Sequence, residues 1–147
     1  MIGQYAHGNE PSHHITYLYA YSETPQKGQK YIHQIINDFY NNTPDGMIGN
    51  DDCGQMSAWY ILSSLGFYQV NPAVDQFVMG APQVKKAIIH LNNGKQFSVD
   101  AEGLTSQNIY VKASFLNSIK LKTPYISYHA VMNGGKLHSK MGRNSMH

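Results

Sequence analysis

The chain changes its hydrophobic period near residue 66, and this change limits the folds that it can adopt. Before that point apolar residues recur with the period of a helix. The clearest stripe consists of Tyr31, Ile32, Ile35, Ile36, Phe39 and Tyr40. After that point, runs rich in β-branched and aromatic residues alternate with turn signals. A chain of 147 residues is long enough for one such core. The pattern predicts an α+β fold.

Three helices are predicted in the first segment, residues 1–66. ITYLYAY at 15–21 is apolar on nearly all sides, and the stripe described above predicts a helix over about 25–41. A third helix is expected from about residue 52 to residue 65. Gly66 stands where a glycine commonly ends a helix.

The second segment, residues 67–147, is predicted to form a small antiparallel β unit with a polar face. NNGK at 92–95 separates two of its strands and is a hairpin signal. NGGK at 133–136 marks another turn. The predicted strand segments are KAIIHL, QFSVDA, NIYVKASFL and ISYHAVM.

Composition excludes several classes of function. The formal net charge is +2, from 11 Lys and Arg against 9 Asp and Glu, which is too small to indicate binding to nucleic acid or to an anionic membrane. No apolar run approaches the 18 or so residues of a membrane-spanning helix. The opening MIGQYAHGN has neither a basic start nor an apolar stretch, so no signal peptide is predicted. The single cysteine, Cys53, excludes an internal disulfide.

Polar chemistry is concentrated in two short blocks. The first polar block is HGNEPSHH, residues 7–14, and the second polar block is GNDDCGQMSAW, residues 49–59. Only 14% of the residues in the chain are charged, which is below the usual quarter. Two such blocks in a chain with few charges therefore mark candidate functional residues.

The adjacent carboxylates of the second polar block have two interpretations. Asp51 or Asp52 could cap the third helix, with Gln55 as its third residue. One cap needs one acid, however, and a neighbouring like charge costs energy unless a cation, water or a role as a base compensates. Both interpretations can hold together, because a helix N-terminus orients a carboxylate and favours its negative charge.

The first polar block offers ligands of two kinds. Its histidines could be surface or core residues, and His13 and His14 are poor co-ligands for zinc because adjacent helical residues point about 100° apart. The oxygen donors are more informative. Gln4, Asn9 and Glu10 provide two amide oxygens and one carboxylate, and such a set suits calcium, whose other ligands can be water or sugar hydroxyls.

The two blocks carry a resemblance to a known family. GQYAHGNEPSHH, followed by NTPDGMIGNDDCGQMSAWYILSSLGFYQVNP, closely resembles glycoside hydrolase family 92, the calcium-dependent exo-acting α-mannosidases common in gut Bacteroidetes. The resemblance implies that residues 1–66 are the last helices of an (α/α)6 catalytic barrel and that residues 67–147 are the C-terminal β segment. The family's general acid lies in a motif like E-G-N-A-W, which is absent here. The resemblance thus implies a C-terminal fragment that is inactive alone.

The resemblance also implies roles for individual residues. Asp52 matches the general base of an inverting mechanism, and Asp51 stands where the family often has Glu. Asn50 stands where some members have a second Asp, so this position departs from the pattern. The expected sugar contacts are Asn50, Gln55 and His7. The expected calcium ligands are Gln4, Asn9 and Glu10.

Partners and setting follow from the same resemblance. The expected substrates are mannose-containing glycans, with α-1,2 linkages foremost, and the parent protein is expected to be periplasmic or extracellular. A cut barrel would expose apolar helix sides, so a homodimer is expected through the stripe of Ile32, Ile35, Ile36 and Phe39. Two other functions stay open. The chain could be a calcium-dependent sugar-binding remnant or an inert structural fragment.

Overall fold

The computed structural model describes residues 2–143 of the chain. Helices dominate the first half of this range, and short 3₁₀ turns at Glu10–Ser12 and Tyr19–Tyr21 precede and follow the first helix. The helices are α1 (Ile15–Leu18), α2 (Pro25–Phe39), α3 (Gln55–Leu65) and α4 (Tyr128–Met132). The first three correspond to the three predicted helices.

Helix α2 buries its predicted apolar stripe inside this one chain. Ile32 and Ile35 are at most 1% exposed, and Ile36 is 8% exposed. They pack with Tyr17, Trp59 and Val78, which come from α1, α3 and the second strand. The three isoleucines are therefore covered by other residues of the same chain. A homodimer stays a prediction, and of the four residues named for it only Phe39 is not fully buried.

Helix α3 begins three residues later than predicted. Asp52, Cys53 and Gly54 have φ angles of 48°, 59° and 91°, which lie in the left-handed region and cannot continue a right-handed helix. The end agrees with the prediction, because Gly66 has φ 95° and donates its N–H to the carbonyls of Leu62 and Ser63. The change from helix to strand follows directly, since the first strand begins at Phe67.

The second segment forms two sheets. One has the order β1-β2-β7 and the other the order β3-β4-β8-β5-β6. Neighbouring strands are antiparallel, with one exception described below. The strands are β1 (Phe67–Tyr68), β2 (Phe77–Met79), β3 (Lys86–His90), β4 (Gln96–Glu102), β5 (Tyr110–Leu116), β6 (Ile119–Lys120), β7 (Tyr125–Ile126) and β8 (Gly135–Gly142).

Two details of the β segment differ from the prediction. ISYHAVM was predicted as a strand, but only Tyr125–Ile126 is extended, and α4 follows. The helix forms because the Ser127 side chain accepts the N–H of Ala130 and caps it. The predicted unit was antiparallel, whereas β8 pairs in parallel with β4. The α+β class itself is confirmed.

The five-stranded sheet buries one face. Residues alternate along β4, where Phe97, Val99 and Ala101 are at most 3% exposed while their neighbours are more open. Phe97 and Val99 pack with Leu137 and Phe67, and Leu62 and Leu65 of α3 cover the same cluster. Helix α3 thus contributes to the cores of both segments, and the division into two domains at residue 66 stays a prediction.

None of the helices within residues 2–143 combines the length and the hydropathy that a membrane crossing requires.

Candidate active-site segment

The two polar blocks, which are about 40 residues apart in sequence, touch each other. A Cβ built on Gly49 would lie 3.2 Å from the Cα of Gly8 and 3.3 Å from its carbonyl oxygen. Gly49 also has φ 74°, which favours glycine. The missing side chains let the two backbones meet, so Asn9 and Asn50 each follow the contact point directly in sequence.

His7 lies beneath this contact and is 1% exposed. The hydroxyl of Tyr40 donates to the carbonyl of Met56, at 3.1 Å, and accepts the Nε2–H of His7, at 2.7 Å. Nδ1 of His7 consequently accepts the hydroxyl of Tyr5, at 2.8 Å. Both ring nitrogens are engaged within the chain, so His7 offers no free polar atom to a sugar here. The sugar contact expected for His7 stays a prediction.

His13 joins the two polar blocks by a second set of hydrogen bonds. Its Nε2–H donates to the carbonyl of His7, at 3.0 Å, so its Nδ1 accepts the amide of Gln55, at 3.2 Å. The same amide donates to the hydroxyl of Tyr68, at 2.8 Å. The indole of Trp59 donates to the carbonyl of His13, at 3.1 Å. Gln55 is thus fixed in place from the first block.

Burial keeps both histidines neutral. Burial, with a smaller contribution from the neighbouring His13, lowers the pKa of His7 to about 3. Burial also lowers the pKa of His13, against a hydrogen bond to the carbonyl of His7 and the negative charge of Asp52. The rings stand 4.7 Å apart between centroids, so a proton on one would repel a proton on the other.

The structure gives the two adjacent carboxylates different roles. Oδ1 of Asp51 accepts both the backbone N–H and the hydroxyl of Ser57, each at 2.9 Å. Ser57 is the third residue of α3, and Gly54 in the N-cap position has no side chain, so Asp51 acts as the cap by accepting an N–H of the first turn. This confirms the capping interpretation for Asp51, whereas Gln55 is the first helical residue rather than the third.

Asp52 stands outside the helix and is exposed. Within residues 2–143 its carboxylate makes no hydrogen bond or ion pair, and it projects from the left-handed turn of Asp52, Cys53 and Gly54. Non-glycine residues with positive φ are uncommon and cluster at functional sites. Asn50 beside it is exposed as well. The second polar block therefore presents one free carboxylate and one free amide to solvent.

The expected calcium ligands lie at the surface. Asn9 and Glu10 are both exposed, and Glu10 opens the 3₁₀ turn of the first polar block. Gln4 is exposed in the turn between Ile2 and Tyr5, and no hydrogen bond among residues 2–143 links it to the other two. In the described range, no group of three or more His, Cys, Asp or Glu is placed to hold a metal ion.

Asn9 and Glu10 nevertheless fit calcium as a partial donor set. They offer an amide oxygen and a carboxylate side by side, whereas calcium takes six to eight oxygen ligands. Glu10 also lines a cleft of about 380 Å³ together with His13, Gln55 and Tyr68. The structure thus brings one expected calcium ligand and one expected sugar contact, Gln55, to the same cleft.

Several residues of this arrangement had no signal in the sequence. Tyr5, Tyr40 and Tyr68 are scattered among eleven tyrosines, and only the fold brings their hydroxyls to the histidines and Gln55. The position of Ser57 as a capped residue depends on the helix start at Gln55, whereas the sequence predicts the start near residue 52.

Comparison with known proteins decides the family. Residues 1–143 match the glycosyl hydrolase family 92 catalytic domain. The chain belongs to this family. The match covers nearly all of the 147 residues of this family 92 chain.

Solved structures of family 92 have the same fold. An α-mannosidase of Bacteroides thetaiotaomicron is 42% identical with a TM-score of 0.94, and the match covers 98% of this chain and 19% of the mannosidase. An inverting mannosidase of the same organism is 36% identical with a TM-score of 0.88, over 97% of this chain and 19% of that protein. The first of these proteins is also known in complex with mannoimidazole.

A fungal relative extends the similarity. A secreted glycosidase of Arthroderma benhamiae is 30% identical over 139 residues, which are 92% of this chain and 18% of that protein. The chain therefore spans about a fifth of the length of the relatives that it matches.

Proposed function

We propose that this chain is the general-base segment of an inverting, calcium-dependent exo-α-mannosidase that acts on mannose-containing glycans. The observation that carries the proposal is the contrast between the two adjacent carboxylates. Asp51 is held by Ser57, at 2.9 Å, whereas Asp52 is exposed beside Asn50. A carboxylate that has no structural partner is available to accept a proton, as a general base must.

The proposed reaction needs two carboxyl groups with a water molecule between them. In an inverting glycosidase one acid protonates the glycosidic oxygen while a base removes a proton from the water that attacks the anomeric carbon. Asp52 is the proposed base. The acid would come from a part of the family 92 catalytic domain that this chain does not contain, since the chain spans about a fifth of its relatives.

Calcium would bind at Asn9 and Glu10, with Gln4 as a further ligand, and would supply positive charge that polarises and orients sugar hydroxyls. The contact between Gly8 and Gly49 supports this arrangement, because it keeps the proposed ion ligands next to the proposed base. Asn50 would donate a hydrogen bond to the sugar, and Gln55 would accept one through its amide oxygen. Gln55 suits that task because His13 and Tyr68 take both hydrogens of its amide nitrogen, which fixes the group and leaves the oxygen as its free polar atom.

The finer parts of the proposal rest on similarity. The substrate class follows the relatives named as mannosidases, one of them in complex with mannoimidazole, and α-1,2 linkages are the linkage class that we expect. An extracytoplasmic location for the parent protein follows the secreted fungal relative.

The central experiment compares Asp52→Asn with Asp51→Asn in an assembled enzyme that contains this segment. If Asp52 is the base, its asparagine variant should lose about 10²–10⁴-fold in kcat, because an amide cannot accept the proton of water. Its melting temperature should stay near wild type, since Asn tolerates positive φ about as well as Asp. Asp51→Asn should reduce kcat less, because Asn still caps a helix. A fully active Asp52→Asn enzyme would refute the assignment.

A second experiment separates the enzyme segment from a sugar-binding remnant and from an inert fragment. The isolated chain is titrated with mannose, with and without a calcium chelator. Binding that the chelator abolishes would favour a remnant with a working ion site. Absence of binding, together with a loss of turnover in the Asp52→Asn enzyme, would favour a segment that works only within the larger protein.

A further inference from the structure

The five-stranded sheet has a second face, which its core does not use. Phe97 and Leu137 pack into the core, so the residues that alternate with them lie on the opposite, open face. On this face Asp100 of β4 stands beside His138 of β8, and Phe115 of β5 stands on the other side of His138. The sequence predicts a polar face of this kind, and the proposed function makes no use of it.

Positive charge is in excess on the open face. The charged residues that share it are Lys86, Lys120, Lys136, Lys140, Asp100 and Glu102. Both carboxylates already have a partner. Asp100 accepts a hydrogen bond from Nζ of Lys136, at 2.6 Å, and Glu102 accepts one from Nε2 of His138, at 3.0 Å. Lys140 has no ion pair among the described residues, and Lys136 keeps further donors because an ammonium has three.

A cleft of about 380 Å³ lies on this face, at β5 and β8. It is lined by Phe115, Ser118, Lys136, His138 and Lys140, and by neither carboxylate. The rings of Phe115 and His138 lie side by side in it, 6.0 Å apart between centroids. Nζ of Lys140 lies 5.9 Å from the centroid of Phe115, as in a cation–π contact. We name this feature the sheet cleft.

The charges of the sheet cleft favour a tetrahedral oxyanion. Lys136 and Lys140 are four residues apart on one strand, about 13 Å between Cα atoms, and their long side chains line the same cleft. A phosphate ester offers three terminal oxygens, as a sulfate ester does, so one group can accept hydrogen bonds from both ammonium groups. Lysine binds such a group as a point charge. The hydroxyl of Ser118, exposed in the turn between β5 and β6, is a further donor.

The rings of the sheet cleft favour a sugar as the carrier of this oxyanion. Phe115 is only partly buried, so it offers apolar surface to a ligand. The C–H face of a pyranose packs against such a ring, because the contact removes apolar area from water. The chain belongs to a family of glycosyl hydrolases, so sugars are the molecules that this domain meets.

We propose that the sheet cleft binds a sugar that carries a sulfate or phosphate ester. The ester would lie between Lys136 and Lys140, and the pyranose would lie on Phe115. The sheet cleft shares no lining residue with the cleft of Glu10 and Gln55. This second site goes beyond the proposed function, because it needs neither the base nor calcium.

The test titrates the 147-residue chain with glucose 6-sulfate and, separately, with glucose 6-phosphate. Glucose replaces mannose so that a mannose site elsewhere on the chain does not contribute. The backbone amide resonances of Ser118, His138 and Lys140 should shift with both esters. Glucose and inorganic sulfate should each bind at least about tenfold more weakly, because each lacks one half of the ligand. The tighter of the two esters identifies the natural one.

Lys140→Ala should weaken binding of both esters about tenfold, because it removes one charge-assisted hydrogen bond. The matched control is Lys30→Ala, which removes the same charge from an exposed position on α2 and should leave the affinity unchanged. Both lysines are exposed, so both variants should keep the melting temperature of the wild type. Phe115→Leu should weaken binding of the esters and leave the weak binding of inorganic sulfate as it is.

Four results would overturn the proposal. The first is an absence of shifts at these residues with either ester. The second is inorganic sulfate that binds as tightly as the esters, which would make the cleft a site for an anion alone. The third is an equal loss of affinity in Lys140→Ala and Lys30→Ala. The fourth is displacement of the esters by a lower concentration of a short oligothymidylate, whose bases also stack on aromatic rings. None of these measurements uses calcium or a mannoside, so their outcome does not depend on whether the assembled protein hydrolyses mannosides.

Discussion

Two histidines of the first polar block and two polar residues of the second lie in opposite environments. The first block turns His7 and His13 inward, and both are 1% exposed. The second turns Asn50 and Asp52 outward, where their side chains make no hydrogen bond among the described residues. A histidine with both nitrogens engaged in a core supports the fold, and a free carboxylate at the surface is available for chemistry. The comparison teaches that residue type alone does not distinguish polar residues that support the core from polar residues that are free for chemistry, and that burial separates these two groups.

The largest expected effect concerns the rate at which the isolated chain, which carries the exposed Asp52, hydrolyses an α-mannoside. The isolated chain should release mannose from an α-mannoside at least about 10²–10⁴-fold more slowly than a complete enzyme, because the proposed base has no general acid opposite it. Mannose release by equal molar amounts of both proteins measures this. Efficient, calcium-stimulated release by this chain alone would contradict the separation of acid and base onto different segments.

Removing a buried histidine should affect stability far more than removing an exposed amide. His7→Phe should lower the free energy of unfolding by about 2–3 kcal/mol, because the hydroxyls of Tyr5 and Tyr40 lose their partner in a buried site. Asn50→Ala is the control and should change it by no more than about 0.5 kcal/mol. Urea unfolding of the two variants measures the difference. Equal values would contradict the inward role of His7.

The buried histidines should also make the chain sensitive to acid. The pKa of His7 is about 3 in the fold and about 6.5 in an unfolded chain. Between these values the unfolded state binds a proton that the native state does not, so stability rises with pH. The contribution of His7 to stability is fully present above about pH 6.5. It is lost as pH falls toward 3, by up to about 1.4 kcal/mol per pH unit.

Unfolding free energies between pH 7 and pH 4 measure this slope. His7→Phe is the matched variant and should flatten the slope, because the group that titrates in the unfolded state is gone. An unchanged slope in that variant would assign the acid sensitivity to other groups.

The smallest expected effect concerns the contact between the blocks. Gly49→Ala and Gly54→Ala both place a side chain at positive φ, which costs roughly 1 kcal/mol. A Cβ at Gly54 has open space around it, whereas one at Gly49 lies 3.2 Å from the Cα of Gly8. Gly49→Ala should therefore be the more destabilising by about 1 kcal/mol. Thermal unfolding measures the difference. Equal losses of stability in the two variants would mean that the close contact between the blocks does not contribute to stability.

Periodic features of the fold were predictable from sequence. The stripe on α2 predicted a helix to within two residues, because a stripe over four turns leaves one solution for the buried face. NNGK predicted the hairpin of β3 and β4 for a similarly local reason. The strand predicted at ISYHAVM was wrong, because a cap at Ser127 outweighed the β-branched and aromatic composition.

The candidate site was predictable in its location but not in its division of roles. The concentration of polar residues marked the two blocks as candidates, and the family resemblance indicated Asp52. Two facts depend on tertiary contacts between distant residues. Asp51 is the cap because the left-handed turn moves the helix start to Gln55, and His7 is buried because tyrosines from two elements surround it. Neither contact leaves a periodic signal in the chain.

The parallel pairing of β8 with β4 has a consequence for the order of folding. β8 is the last strand of the described chain, yet it stands third in the order β3-β4-β8-β5-β6. Until β8 is available, the other strands of this sheet can form only the hairpins β3-β4 and β5-β6. An isolated two-stranded hairpin is at best marginally stable in water. During synthesis we therefore expect the sheet to stay incomplete until its central strand, β8, has been made. Its edges are made first, and the whole sheet becomes stable in one late step when Gly135–Gly142 has left the ribosome.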